Sequence, residues 1–408
     1  MSIWKLSNVR KQKASFSWGH NGGSGRCVVA GGYVSPANVN TIDKFNLNSS
    51  ANATDFGDLL AANREAGGAN SRTVGLFAGG VSPTTQIQSI VIHTDGNAAD
   101  YADLTQATKG PQGFSDNVKA IFGGGEGPSG DTNVIQSTFI SSFGNCVDFG
   151  HTIGIRRHAG VGSDKTTAIF LGGYDPSAYT NDIETVIFSS KGNAAVWGDL
   201  TTARNHSGAM SNSTRCLSHD ARAPSEVTVD YITWATKGNA QDFGDTSVSR
   251  SQAGSGADAT RGYLYGGATG PSELASIDYF TIASTGNATD FGDIGSGAQN
   301  NAQGGSSSTR GVHGGGYNGS DQKENTISYI TIQTTGDSTD FGDLTVARAD
   351  QAGASNGVRV GWFGGDGDQT TCDFVTIATT GNATDFGDTN IAGRNFRATG
   401  EFHGGINA

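Results

Sequence analysis

Cysteine is scarce in this chain. Its four positions, Cys27, Cys146, Cys216 and Cys372, are far apart and form no Cys-x-x-Cys pair. A zinc site or a dense disulfide framework is therefore not expected, and buried reduced thiols in strands are. Long apolar runs are also missing: no stretch approaches the ~20 residues of a membrane-spanning helix. The N-terminal segment MSIWKLSNVRKQKASFSWG has no apolar signal-peptide core. The expectation is a protein neither inserted in a membrane nor exported through a signal peptide. Basic residues number 26 against 38 acidic ones, for a net charge of -12, and the densest basic patch is only Arg10–Lys13. That excludes the continuous basic surface a general nucleic-acid binder needs. Gly-x-Ser-x-Gly, His-Glu-x-x-His and phosphate-loop motifs are all lacking. The eight histidines are scattered. No catalytic residue, cofactor site or metal site is assigned, and the chain is expected not to be an enzyme.

What the chain has in abundance is glycine, 63 of 408 residues, without the every-third spacing of collagen. It also has a repeat. The stretch TGNATDFGD at Thr285–Asp293 returns at Thr380–Asp388, and as KGNAQDFGD at Lys237–Asp245. Looser copies bring the total to eight. Their central aromatics are Phe56, Tyr101, Phe149, Trp197, Phe243, Phe291, Phe341 and Phe386, spaced by 45, 48, 48, 46, 48, 50 and 45 residues. A period in this range means a propeller, a solenoid or an array. It runs the length of the chain without a linker, so residues 1–408 are expected to form a single domain.

Each repeat divides into four short strands, a to d, rich in β-branched and aromatic residues and broken by Gly, Asn, Ser and Pro. In residues 348–388, strand a follows Arg348, strand b is Val358–Gly365, strand c is Cys372–Thr379 and strand d is Ala383–Asp388. Gly381–Asn382 reads as a two-residue hairpin turn between c and d. Three marks recur. Strand d carries Asp290, Phe291, Gly292 and Asp293, or their equivalents. Strand b closes on a double glycine, as at Gly364–Gly365, Gly315–Gly316 and Gly123–Gly124; the fifth repeat has Asp220–Ala221 instead. A basic residue lies five or six positions after the last Asp, as in Asp58–Arg64, Asp103–Lys109, Asp199–Arg204, Asp245–Arg250, Asp343–Arg348 and Asp388–Arg394. An ion pair there would pin the crossing from one sheet to the next.

A double glycine ending strand b, a basic residue opening strand a and an aromatic on strand d resemble the kelch repeat. The departure is in strand d, where kelch repeats carry Trp and only Trp197 does so here. The motif GNATDFGD resembles repeats in structural proteins of tailed bacteriophages, especially marine cyanophages, over nearly the whole chain. The resemblance implies an all-β, kelch-like β-propeller of four-stranded antiparallel blades. Eight complete units give eight blades. Nine, with one incomplete, is the alternative, because an extra a–b pair follows Arg394. It also implies a non-enzymatic virion module of tail, fibre or capsid surface, made in the host cytoplasm. Such a module docks onto other virion proteins, with host-surface glycan as a further ligand class and homo-oligomerisation open. A propeller-type carbohydrate-active enzyme and an intracellular kelch-like scaffold are the competing readings.

The b–c loops differ most between repeats, and loops on a rigid scaffold usually carry recognition. Tyr33, Tyr174, Tyr179 and Tyr317 lie in them and are of the type that stacks on sugars or anchors protein contacts. Trp234, on strand c of the most deviant repeat, is a further candidate. The Asp pairs of strand d, such as Asp290 and Asp293, suggest calcium. Residues three apart on a strand diverge, however, so a turn-capping Asp and an Asp paired with the next Arg is the plainer reading. His219, His313 and His403, at or near the position before the double glycine, read as strand residues.

Overall fold

The computed structural model describes residues 26–400 apart from 35–36, 47–53, 65, 72, 156–158, 164–165, 176, 205–207, 213, 220–225, 252, 259, 271, 301, 356, 367–368 and 391–396. Asp220–Ala221, Arg394 and His403 therefore lie outside the described residues. Within them the chain is all-β. Eight four-stranded sheets follow one another in the strand order a-b-c-d, and every pairing is antiparallel. The c strands, in sheet order, are Thr41–Asn46, Thr84–Val91, Val134–Phe139, Ala178–Ile187, Thr228–Thr233, Ser276–Thr281, Thr326–Thr331 and Thr371–Thr376. The d strands are Thr54–Asp58, Ala99–Thr108, Val147–His151, Ala195–Asp199, Thr236–Asp245, Thr289–Asp293, Thr339–Asp343 and Thr384–Asp388. The first sheet draws its a strand from the other end of the described chain: Arg397–Gly400 pairs with Arg26–Ala30. No helix long and apolar enough to cross a membrane occurs among the described residues.

The b strands are buried on both faces. In Arg261–Tyr265 everything after the arginine is inaccessible, as expected of a strand covered from two sides. The c strands bury one face and part of the other: Ile277, Asp278 and Phe280 are buried and Thr281 is exposed. The cores lie between consecutive sheets. Val312, Ile327 and Phe341 of the seventh pack on Val360, Trp362 and Val375 of the eighth. Val28, Ile42 and Phe56 of the first pack on Phe77 and Ile90 of the second. Phe45 of the first sheet meets Phe363 of the eighth, ring centres 4.3 Å apart. Each large apolar side chain so buried is worth about 1.5–3 kcal/mol.

The repeated Asp-Phe-Gly-Asp is a β-bulge. Ile277 faces Gly292 and Asp278 faces Asp290, so Phe291 is one residue too many on strand d. The same shift recurs at the same place in all eight sheets. A bulge re-aims a side chain; here it turns Phe291 into the core. The Asp290 carboxylate closes the bulge by accepting from Gly292 N at 3.0 Å. Asp55, Asp242, Asp340 and Asp385 do the same in their sheets.

Gly381–Asn382 is not the hairpin turn that its sequence suggests. Strand c ends at Thr376 and strand d begins at Thr384, and the turn between them is closed by Thr379 N donating to Thr376 O at 3.0 Å. The Gly-Asn-Ala segment lies instead on strand d of the preceding sheet. Gly381 N donates to Phe341 O and Ala383 N to Asp343 O, both at 2.7 Å. Asp343 N donates to Asn382 Oδ1 at 3.2 Å. A side chain on Gly342, which holds φ +141°, would come within 2.5 Å of the Gly381 backbone. Two glycines in contact let the backbones meet. The clasp recurs between the fifth and sixth sheets and between the sixth and seventh, where Asp337 replaces the asparagine. Between the second and third, Ala102 replaces the glycine and Asp103 N still donates to Asn145 Oδ1 at 3.1 Å.

At Lys109, Arg204, Arg250 and Arg348 the crossing between sheets is pinned, but not by the ion pair the spacing suggests. Arg348 pairs with Asp373, Arg250 with Asp278 at 2.8 Å and Arg204 with Asp230 at 2.9 Å. Each acid is the third residue of strand c in the arginine's own sheet, not the last Asp of the preceding strand d. Both partners of each pair are buried. The same acid takes a backbone N–H from the crossing, as Thr345 N donates to Asp373 Oδ2 at 3.1 Å. Arg348 also donates to Gly364 O and Thr371 O, while its own carbonyl accepts from Gly316 N at 2.9 Å. One arginine thus ties two sheets together. Burial pushes the Asp373 carboxyl up and the Arg348 guanidinium down from their ordinary values, and the attraction between them opposes both shifts. Lys109 pairs with Glu126 at 3.1 Å rather than with Asp103. From the eighth sheet to the first, Asn390 N donates to Asp43 Oδ2 at 3.0 Å, repeating the Thr345–Asp373 contact. At the end of strand b in the third repeat the glycine pair with positive φ is Gly124–Gly125, one residue beyond the expected pair, because Gly123 still belongs to strand Lys119–Gly123.

Candidate functional site

The b–c loops are more ordered than loops of irregular chain. Ala268–Thr269 pairs with Ser272–Glu273, Glu126–Gly127 with Gly130–Asp131, and Tyr33–Val34 with Ala37–Asn38. Several are also stitched to the crossing that enters their own sheet. Ser251 and Ala268 exchange backbone bonds of 2.8 and 2.7 Å, and Lys109 and Glu126 exchange bonds of 2.7 and 2.9 Å. Tyr317–Asn318 pairs with Gln299–Asn300. Polar groups on this face are therefore held in place before any ligand arrives.

Among the described residues, a dense polar group on this face spans the sixth to eighth sheets. Tyr317 donates its hydroxyl to Asp366 Oδ2 at 3.2 Å. Lys323 Nζ reaches the same oxygen at 3.1 Å and the Asp366 carbonyl at 3.0 Å. Asn318 Nδ2 donates to Glu324 Oε1 at 2.5 Å, and Asn318 Oδ1 accepts from Ser320 N and Gln322 N. Asn300 Nδ2 donates to Glu273 Oε1 at 3.3 Å, leaving its buried Oδ1 without a partner. This array of amide, carboxylate, ammonium and phenol groups can hydrogen-bond a polyhydroxylated or peptide ligand.

The candidate aromatics do not form one site. Tyr174 and Tyr179 face each other across their hairpin, ring centres 5.8 Å apart. Tyr317 is in the polar group of the seventh sheet, and the Tyr33 side chain lies outside the described residues. Trp234 sits at the opposite end of its sheet, just after strand Thr228–Thr233, and turns inward. It lies edge-on to Trp197 of the fourth sheet at 6.4 Å and donates Nε1–H to Asn212 O at 3.2 Å. It fills a join between sheets.

His219 and His313 are buried strand residues, as expected. His313 stacks on Tyr265 at 4.4 Å, and its Nε2 lies 3.1 Å from the Tyr263 hydroxyl. Burial holds His313 down at about 4 and His219 at about 3. The thiols Cys146, Cys216 and Cys372 are free and buried, and burial pushes Cys146 and Cys216 up to about 12. The Cys27 side chain lies outside the described residues. Among the described residues, no three His, Cys, Asp or Glu side chains are grouped to hold a metal ion.

Sequence reasoning passed over Asp366, Lys323 and Glu273. Each belongs to a single repeat, and nothing in their local spacing marks them. No family model matches the chain, and no curated protein matches it in sequence.

Proposed function

We propose that the eight sheets are the blades of a kelch-like β-propeller. On this reading the chain is a non-enzymatic display module of a tailed-phage virion, recognising neighbouring virion proteins or host-surface glycan through its b–c loops. The observation that carries the architecture is the Asn390–Asp43 contact beside the pairing of Arg397–Gly400 with Arg26–Ala30. It joins the eighth sheet to the first by the bond that joins each other consecutive pair from the fourth to the sixth and from the seventh to the eighth. The display role is supported by a division of labour: recurring residues fasten sheets, while Lys323 and Asp366, the partners of Tyr317, stand in no equivalent place in the other repeats. The virion setting rests on the resemblance of GNATDFGD to phage structural repeats.

Electron microscopy of the purified protein tests the architecture: an eightfold ring is expected, and an elongated particle would overturn it. A glycan array read with the wild type and with Tyr317→Ala/Asp366→Ala tests the role. Binding of host polysaccharide that the double variant loses is the expected adhesin result. Shortening of the polysaccharide would overturn the non-enzymatic reading in favour of a carbohydrate-active enzyme.

A further inference from the structure

The repeats provide an internal control for one groove. In the fifth to seventh sheets, strand b opens with an arginine, and that arginine reaches into the next sheet. Arg215 donates to Ile282 O at 2.9 Å, Arg261 to Ile332 O at 3.1 Å and Arg310 to Ile377 O at 2.9 Å. Each guanidinium lies 4.4–4.5 Å from an aromatic ring of its own strand c, Tyr231, Tyr279 or Tyr329. From the third sheet to the fourth a lysine plays the part: Lys119 Nζ donates to Phe188 O at 2.5 Å. From the fourth to the fifth, Thr167 holds the position and the larger Trp234 occupies the join.

Among the described residues, the join between the second and third sheets has none of these. The residue opening strand b is Val74, which carries no donor, and its partner position in strand c is Val91. The carbonyl that would be met is that of Ile140. Here a groove of about 320 Å³ opens, lined by Ser71, Thr73, Val74, Asn117, Ile140 and Ser141. Its surroundings are unusual for this molecule. At the last residue of strand c the fifth to eighth sheets carry Thr233, Thr281, Thr331 and Thr376, whereas the second to fourth carry exposed Val91, Phe139 and Ile187. Val118 and Phe143 are exposed beside them, Phe143 to 73%. Exposed carboxylates of the outer strands, Asp100 and Asp148, are on the same two sheets.

We propose that this groove receives an arginine side chain from a protein partner. The guanidinium would take the place that the chain's own arginines take elsewhere, donating to the Ile140 carbonyl while its stem packs on Val74. Apolar residues flanking that arginine would cover Val118, Phe139 and Phe143. The net charge of -12 favours a cationic visitor over an anionic surface. The site lies at the opposite end of the sheets from the b–c loops and does not depend on the function proposed for them.

The test uses the full chain with methyl-labelled Val and Ile, titrated with N-acetyl-arginine amide, N-acetyl-citrulline amide and N-acetyl-lysine amide. Saturable shifts at Val74 and Ile140 are expected with the arginine compound, with binding roughly tenfold weaker for citrulline, which has the shape without the charge. Val74→Arg should abolish the response while leaving the circular dichroism unchanged. N-acetyl-Leu-Arg-Phe amide should bind more tightly than arginine amide; no gain would overturn the protein-segment part. An equal response to citrulline, or shifts only elsewhere, would overturn the site. Two further outcomes would reassign it. Binding seen only in Arg72→Ala would give the groove to the chain's own arginine. Self-association by sedimentation that Val74→Arg removes would give it to a second copy.

Discussion

The fifth to eighth sheets and the second to fourth solve one packing problem with different chemistry. In the later group a planar cation bridges neighbours: Arg215, Arg261, Arg310 and Arg359 each stack on an aromatic of strand c, and buried Arg204, Arg250 and Arg348 lock the crossings. In the earlier group the strand-c aspartate becomes Gln88, Gln136 or Glu184, and the stacking aromatic becomes Ser89, Ser137 or Thr185. The backbone bonds survive the exchange: Leu60 N still donates to Gln88 Oε1 at 2.6 Å and Ile153 N to Glu184 Oε2 at 2.7 Å. These joins accept either an amide or a carboxylate at this position, and into the seventh sheet, where it is Ser328, Gly295 N donates to Ser338 Oγ at 3.0 Å instead.

The largest contrast should come from the crossings. Arg348→Ala leaves Asp373 buried and unpaired and should cost about 3–5 kcal/mol. Lys109→Ala, whose pair with Glu126 is over a third exposed on each side, should cost under about 1 kcal/mol. Urea unfolding measures both, and equal losses would remove the distinction. Acid should weaken the later sheets next. His313 is neutral in the fold down to about 4 and titrates near its ordinary value of about 6.5 when unfolded. The unfolded chain therefore binds the proton first, and stability falls as the pH drops from about 6.5 to about 4, by roughly 3 kcal/mol. His313→Phe, which supplies the residue that Phe122 and Phe170 carry at the same register, should flatten that slope in denaturation curves taken across the range.

Gly342→Ala should cost about 1–3 kcal/mol by straining φ and pressing on Gly381. The reverse change at the divergent join, Ala102→Gly, should cost under about 1 kcal/mol. Thermal melts that rank the two the other way would show the glycine contact to be incidental. Arg310→Ala should cost about 1–2 kcal/mol, for one stacked cation and one hydrogen bond. A double-mutant cycle with Tyr329→Ala would isolate the stacking part.

The sequence made the strands legible because each Asp-Phe-Gly-Asp falls in a d strand and the double glycine follows the b strand in most of the described repeats. It misled at Gly381–Asn382, where residue types suited to a tight hairpin serve close approach between sheets instead. It hid the acid partner of Arg348. The strand-c residue opposite the first Asp of the strand-d motif varies among Asp, Gln, Glu and Ser, so no letter recurs to betray the bond. Tyr317 was visible as a loop aromatic, but its partner Asp366 comes from the next repeat and only the folded chain brings them together. Trp234 looked like a surface aromatic because its neighbour Trp197 is on another sheet.

The Gly-Asn-Ala clasp has a consequence for association. The d strand is the outermost of its sheet, and an outermost strand ordinarily offers its backbone to any extended segment that arrives. Here Phe341 O, Asp343 N and Asp343 O are already engaged by the next repeat. An incoming strand would find those groups taken, so the rim resists strand addition and amyloid-like stacking. Contacts at these strands are then left to their side chains.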